Sequence, residues 1–233
     1  MAPDPSFAFF DVDDTLIRVK SMFSFYRFWC LEYRSDEKQF AMFEQHFQGL
    51  RAANEPREVL NREYYRFYAG ISPLVLADAG EAWAAKMLSG PHGLFYQATV
   101  DMLQRLRDGG TTPVFVSGSF DEVLEPLARQ FDVHHILATP MMMCVGGVYS
   151  GEIGTPQTIG DGKAVAVAEF LADKDVPASR CAAFGDDISD LPMLDAVGHP
   201  HVVGQGTQLT RIALERNWPV IDVEPAAMVA ESI

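Results

Sequence analysis

Four places in the chain hold residue types that could do chemistry together. The first is Asp11-Val12-Asp13-Asp14-Thr15, with three carboxylates and a hydroxyl in five residues. The second is Ser117-Gly118-Ser119, the third is Lys163 in Ile159-Gly160-Asp161-Gly162-Lys163, and the fourth is Gly185-Asp186-Asp187-Ile188-Ser189-Asp190. Taken singly, the first three have ordinary readings: a solvated acidic turn, a Ser-Gly turn, a solvated helix start. Three of the four, however, directly follow short apolar runs that read as buried strands, and buried charge is costly unless it is paired or meets a cation. If those strands are parallel neighbours, at least three carboxylates share one crevice and their repulsion raises their pKa values. A hard oxygen-binding ion such as Mg²⁺, held by few carboxylates with room for substrate phosphate, resolves the conflict. Ser117 and the backbone N–H groups after it suit a phosphate oxygen, and Lys163 adds positive charge. Phosphoryl transfer is the chemistry these parts describe.

The elements that must position them follow from hydrophobic pattern. Ser6–Asp11 reads as a strand. From about 18 to 91 the pattern is helical and rich in rings: Phe23, Phe25, Tyr26, Phe28, Trp29, Tyr33, Phe40, Phe43, Phe47, Tyr64, Tyr65, Phe67 and Tyr68 are 13 of the 26 aromatics. Gly70, Pro73 and Ser89-Gly90-Pro91 mark turns. Helix and strand then alternate: a helix over 94–108 stopped by Gly109-Gly110, a strand over 113–116, a helix over 120–131 and a strand over 135–138. A hairpin over 145–153, on glycine spacing, comes next. A helix over 162–172, a strand over 181–185, a helix over 190–197 and strands over 201–203 and 219–223 complete the pattern. Such alternation predicts an α/β fold, a doubly wound parallel sheet with an inserted helical subdomain. The ligand crevice is then expected at the carboxyl ends of the strands. The expected division is 1–17 and 92–233 for the α/β core and 18–91 for the insert.

Composition narrows the partners. The 233 residues carry a formal charge of −14, with 48% hydrophobic and 21% charged residues, which fits a globular protein and not a disordered chain. A chain this acidic predicts no nucleic-acid partner, because phosphate contacts need clustered Lys and Arg. No apolar run approaches the ~20 residues of a membrane helix, so no membrane span is expected. The acidic N-terminus lacks the basic region of a secretory signal. Cys30, Cys144 and Cys181 are odd in number and far apart, so buried reduced thiols in a cytoplasmic protein are expected. The six histidines give no HExxH pattern, and the P-loop pattern around Lys163 fails at Gln157 and Ala164.

In that order, the four segments resemble the signature of the haloacid dehalogenase superfamily, in its phosphoserine-phosphatase-like branch with a helical cap after the first motif. The likeness covers nearly the whole chain: DxDx[T/V] at Asp11–Thr15, the post-strand serine at Ser117, the isolated Lys163, and GDxxxD at Gly185–Asp190. It implies a Rossmann-like core and an Mg²⁺-dependent phosphomonoester hydrolase. Asp11 would be the nucleophile that forms an aspartyl-phosphate, and Asp13 the acid and then base. Ser117, Gly118 and Lys163 would hold the transferring oxygens. Mg²⁺ would sit on Asp11, the backbone carbonyl of Asp13 and Asp186, with Asp190 orienting its waters or Lys163 and Asp187 as an alternative outer ligand. A true dehalogenase of this superfamily lacks the second aspartate of motif one, so Asp13 argues against that chemistry.

The chain departs from phosphoserine phosphatase in one telling place. That enzyme carries Glu five residues beyond the motif-one threonine; here the position is Lys20, a cation that would repel the ammonium of phosphoserine. Ser189 also stands where that enzyme usually has Asn. The expected substrate is therefore another small phosphorylated metabolite, with a second anion that Lys20, or more weakly Arg62 or Arg66, could meet. Between Arg18 and Pro91 lie ten basic and nine acidic residues, a net +1 against −14 for the chain, so the remainder carries −15. Basic side chains of the insert are thus available to an anion, unless they only pair with neighbours one helical turn away. Phosphotransfer to a second alcohol, a catalytically silent binding module on the same fold, and a monomer or homodimer state all remain open at this point.

Overall fold

The computed structural model describes residues 5–90 and 93–223. At its centre lies β1 (Phe7–Asp11), four of whose five residues are buried. It pairs in parallel with β2 (Thr112–Val116) and β6 (Cys181–Gly185). With β3 (His135–Leu137), β7 (His199–Val203) and β8 (Val220–Ile221), they form a six-stranded parallel sheet in the order β3-β2-β1-β6-β7-β8. A strand buried on both faces needs apolar side chains on both, and Phe7-Ala8-Phe9-Phe10 supplies them. Ala8 and Phe10 join Phe115, Ala182 and Phe184 in one core, where the Phe10 and Phe184 rings stack at 4.3 Å. Phe9 points the other way, into a second core with Val114, Val116, Ala183 and Val167.

Helices cover the sheet. Among the described residues they are α5 (Gln97–Asp108), α6 (Asp121–Ala128), α7 (Asp161–Lys174), α8 (Leu191–Asp195) and α9 (Gln208–Arg216). Several expected bounds move. The helix expected from 94 begins at Gln97, because Leu94 and Tyr96 instead pair their backbones with Arg18 and Leu16. The helix expected to run to 131 tightens into a 3₁₀ turn at Arg129–Phe131. The hairpin is real but is centred elsewhere: β4 (Met141–Met143) pairs antiparallel with β5 (Tyr149–Ile153). Val145 is therefore turn and not strand, and Gly146 and Gly147 carry the turn at φ values of 116° and 76°.

Between β1 and α5 the chain makes a helical excursion: α1 (Ser21–Phe28), a wider π turn at Trp29–Tyr33, α2 (Glu37–Ala52), α3 (Arg57–Tyr65) and α4 (Pro73–Leu88). Asp36 caps α2 by accepting from the Gln39 N–H at 2.9 Å, and proline opens α4, where its missing N–H costs nothing. The rings of the insert pack on one another, with Tyr26 on Phe43 at 4.0 Å and Phe43 on Phe47 at 4.5 Å. The ends of the excursion are tied: Arg18 N–H donates to the Leu94 carbonyl at 2.8 Å and Tyr96 N–H to the Leu16 carbonyl at 2.9 Å. The expected boundary at 91/92 lies outside the described residues. The insert rests on the sheet layer where α4 crosses α6 so closely that a Cβ on Gly80 would stand 1.9 Å from the Glu122 carbonyl oxygen. No helix of the described residues is long and apolar enough to cross a membrane. All three cysteines are free; Cys30 and Cys181 are buried as expected, but Cys144 is exposed because it lies in the hairpin turn.

Candidate active site

Sheet register assembles the site. Asp11 is level with Val116, and Phe10 with Phe184. The residues that follow, Ser117 on one side and Gly185-Asp186 on the other, therefore leave the sheet beside Asp11. Directly after the strand, Asp14 adopts a φ of 63°, a left-handed turn that Asp tolerates better than most residues. That turn brings Asp13 back to the crevice that Asp11 faces, and both line a cavity of about 630 Å³ together with Ser117, Gly118, Lys163, Asp186, Asp187 and Asp190.

The strongest contacts converge on Lys163, which α7 delivers from the opposite wall. Its ammonium donates to Asp11 Oδ1 and to Asp190 Oδ1, each at 2.5 Å, and the three side chains are 4%, 8% and 1% exposed. Burial works against the charge on Lys163, but Asp11 and Asp190 outweigh it and raise its pKa. Asp190 is also held from behind. Its Oδ2 accepts the backbone N–H groups of Asp186 and Asp187, each at 3.1 Å, and a Cβ on Gly185 would lie 2.5 Å from the Asp190 Cβ. Glycine at 185 is what lets that carboxylate tuck under the loop. Burial and Asp11 raise the pKa of Asp190 while Lys163 opposes them.

Two carboxylates are under electrostatic pressure. Burial, with Asp11 adding to it, pushes Asp186 up to about 8. Asp13 is pushed up to about 7, first by burial, with Lys20 opposing and Asp11 adding. Its Oδ1 is sealed from solvent with no hydrogen-bond partner. Thr15 Oγ1 stands between Asp11 Oδ2 at 3.0 Å and Asp186 Oδ1 at 3.1 Å and has one proton to share between them.

Oxygens of Asp11, Asp186 and Asp190 lie within 4.8 Å of one another. An unpartnered carboxylate oxygen on Asp13, a crowded group of hard oxygen donors and pKa values raised by burial with a neighbouring carboxylate adding to it all fit a small divalent cation such as Mg²⁺. Within this group, Asp190 is engaged at both oxygens by Lys163 and two amides, whereas the Asp186 carboxylate and the Oδ2 of Asp11 meet, among the described residues, only the one hydroxyl of Thr15 that they share, so these are better placed to meet an ion. Asp187 accepts both terminal nitrogens of Arg57 and the Ser189 N–H at 2.9 Å.

The insert reaches this loop directly. The Gly118 carbonyl accepts from Asn61 Nδ2 at 2.9 Å and from the Tyr65 hydroxyl at 2.6 Å, both from α3. Lys20 lines the cavity and pairs with Asp14 at 2.8 Å. Burial works against its charge, but Asp14, Asp186 and Asp13 raise its pKa. Arg62 and Arg66 are outside the cavity lining: Arg62 donates to Gln157 at 3.2 Å and Arg66 pairs with Glu63 at 2.8 Å. The arginines of the insert that line it are Arg27, Arg51 and Arg57, together with Asn61 none of them singled out by sequence. Helical phase held a signal for two of these. Asn61 precedes Tyr65 by one turn on the buried stripe of α3, and Arg57 precedes Asn61 by another at the exposed start of that helix, whereas Arg62 is exposed on a different face and Arg66 lies in the 3₁₀ turn that follows.

Residues 8–195 match the family model of haloacid dehalogenase-like hydrolases. The chain is 31% identical over 234 residues to a Mycobacterium tuberculosis protein named "Probable phosphatase Rv3661", covering 92% of this chain and 74% of that one. It is 27% identical over 228 residues to the protein of the same organism named "Phosphoserine phosphatase SerB1", covering 96% and 72%. Among solved structures, a Bordetella pertussis Tohama I protein of unknown function superposes with a TM-score of 0.80 at 25% identity, over 94% of this chain and 99% of that one. A phosphoserine phosphatase holding a phospho-aspartyl intermediate analogue superposes at 0.62 with 14% identity, over 99% of each chain, a likeness of fold.

Proposed function

This chain belongs to the haloacid dehalogenase-like hydrolase family and is an enzyme with phosphatase relatives; from that premise we propose that it is an Mg²⁺-dependent phosphomonoesterase working through an aspartyl-phosphate. The observation that carries the reading is the Lys163 ammonium bridging Asp11 and Asp190, with Asp13 lining the same cavity. Lys163 and Asp190 fix the direction of the Asp11 carboxylate, and an oriented nucleophile gains from proximity what a free carboxylate lacks.

In the first step, an Asp11 oxygen attacks phosphorus, the bond from phosphorus to the ester oxygen breaks, and the departing alkoxide takes the proton of Asp13. In the second, the ionised Asp13 takes a proton from water as that water attacks the same phosphorus. Phosphate and the Asp11 carboxylate are released, and Asp13 regains its proton. A pKa of about 7 suits a group that must act in both directions near neutrality. Ser117, Gly118 and Lys163 line the cavity where the transferring oxygens would lie. Mg²⁺, held by the Asp11 and Asp186 side chains and the backbone carbonyl of Asp13, would supply positive charge against the phosphate oxygens.

The helices over 18–91 act in this reading as a cap that shields the aspartyl-phosphate from bulk water. Lys20 stands in the cavity where the ammonium of phosphoserine would be repelled, which supports a phosphorylated metabolite other than phosphoserine. The test is phosphate release from a panel of phosphomonoesters with Mg²⁺ and with chelator. Release that needs both Mg²⁺ and Asp11, judged against Asp11→Asn, supports the proposal; release that survives Asp11→Asn overturns it.

A further inference from the structure

The two ends of the cavity are chemically unlike. Every carboxylate that lines it belongs to the catalytic end: Asp11, Asp13, Asp186, Asp187 and Asp190. The outer end, built by α1, α2 and the start of α3, presents Met22, Phe23 and Leu60 with two arginines, Arg27 and Arg51. The other cations of the lining already hold carboxylates: Lys163 has Asp11 and Asp190, Lys20 has Asp14, and Arg57 has Asp187. Arg27 and Arg51 have no carboxylate partner among the described residues. Arg27 Cζ lies 5.5 Å from the centre of the Phe40 ring and Arg51 Cζ 5.1 Å from that of Phe23. Burial lowers the pKa of Arg51, with no opposing anion. A guanidinium stacked on a ring keeps its edge N–H donors free for a planar or tetrahedral anion.

The helix pairing sets their order. Phe23 meets Phe47 at 5.4 Å and Tyr26 meets Phe43 at 4.0 Å, so α1 and α2 run antiparallel. Arg51, one turn beyond Phe47, therefore sits at Phe23 near the start of α1, and Arg27, one turn beyond Phe23, sits at Phe40. Cations thus step outward from Lys20 to Arg51 to Arg27. At 1.5 Å rise per residue, positions 20 and 27 are about 10 Å apart along the axis. The cavity volume, about 630 Å³, is in the range of sites that enclose ligands much larger than a single phosphate.

We infer that Arg51 and Arg27 form a subsite for a second anionic group of the substrate. The substrate class is then an elongated phosphomonoester bearing a carboxylate or second phosphate at the end remote from the reacting phosphoryl group, with an apolar stretch between them along Met22, Phe23 and Leu60. The inference rests on the phosphomonoesterase reading, and it is tested by binding, without turnover.

The probes are α,ω-alkane bisphosphonates of graded length and the alkyl monophosphonate matching each, titrated calorimetrically into the Mg²⁺-loaded protein. Bisphosphonates long enough to span the two ends bind about tenfold or more tightly than their monophosphonates, and shorter ones lose the advantage. The ratio falls to about one in the Arg27→Gln/Arg51→Gln double variant. Arg66→Gln, outside the cavity, keeps it and controls for a general change in charge. A ratio near one in the wild type, an advantage independent of length, an advantage that survives the double variant, or no binding of either probe overturns the inference. Failure of the phosphomonoesterase reading shows separately, as absent hydrolysis with the binding ratio intact.

Discussion

Replacing Lys163 by methionine keeps the volume of the side chain and deletes the charge that joins Asp11 to Asp190. Lys163, Asp11 and Asp190 are 4%, 8% and 1% exposed, so water does not rescue the carboxylates left behind. Breaking a buried pair by removing one partner costs about 3–5 kcal/mol. In a chain of this size each kcal/mol moves the melting temperature by roughly 2–4 °C, giving a loss of about 6–20 °C. The pH dependence has a definite sign. Burial and Asp11 raise the pKa of Asp190 in the folded state, and Lys163 is what opposes them; without it the rise grows. A carboxyl whose folded pKa exceeds its unfolded value of about 3.9 favours the folded state as pH falls and penalises it as pH rises through the folded pKa. The loss should therefore be larger at pH 8 than at pH 5. Lys163 itself has a raised pKa and titrates above both. Urea denaturation of wild type and Lys163→Met with chelator present, at the two pH values, measures this. A loss below about 1 kcal/mol, within the range of an exposed pair, or an equal loss at both pH values, would refute the reasoning.

Asp13→Asn should lower kcat on an alkyl phosphate by about 10²–10⁴, and by less on p-nitrophenyl phosphate, whose leaving group needs no proton; an equal loss on both would sink the acid role. In the wild type, kcat for the alkyl ester should fall as pH rises through about 7, where Asp13 loses its proton. Mg²⁺ at a hundred times its Kd should stabilise the protein by about 2.7 kcal/mol, seen as a thermal shift that Asp186→Asn abolishes. A full shift in that variant would move the ion elsewhere. Gly80→Ala puts a Cβ where the Glu122 carbonyl oxygen now stands 1.9 Å away, so the insert must lift from α6 at a cost of about 1–3 kcal/mol. An unchanged urea midpoint would mean the two helices are not in fixed contact.

That the residues proposed to react would come together was legible because their types contradict their places. Asp11 closes an apolar strand, and Gly185-Asp186 follows another; a parallel sheet then forces them together, and the register of β1 with β2 and β6 does so. Lys163 was legible only by order along the chain, since nothing local says that a helix start will lie within 2.5 Å of two carboxylates. The insert was legible as helix and ring cluster but not as a wall of the site. Its net charge of +1 counts Arg27, Arg51, Arg57, Arg62 and Arg66 alike. Which of them enters the cavity depends on helical phase and on how α1 and α2 pair. The contacts of Asn61 and Tyr65 to the Gly118 carbonyl had no sequence signal, because the partner is a backbone atom more than fifty residues away.

That division has a physical cause with a consequence for specificity. Residues that handle the phosphoryl group must resolve a conflict of buried charge, and only a few residue types at strand ends can do so. Residues that meet the remainder of the substrate face no such constraint. An arginine on an amphipathic helix is satisfied by solvent, by a neighbouring carboxylate as Arg66 is by Glu63, or by a ring as Arg51 is by Phe23. On the proposed function, substrate choice then rests on the packing of α1 against α2 and on the seating of α3 on the Gly118 loop. A change at either contact should alter which ester is chosen while Lys163, Asp11 and Asp190 stay as they are.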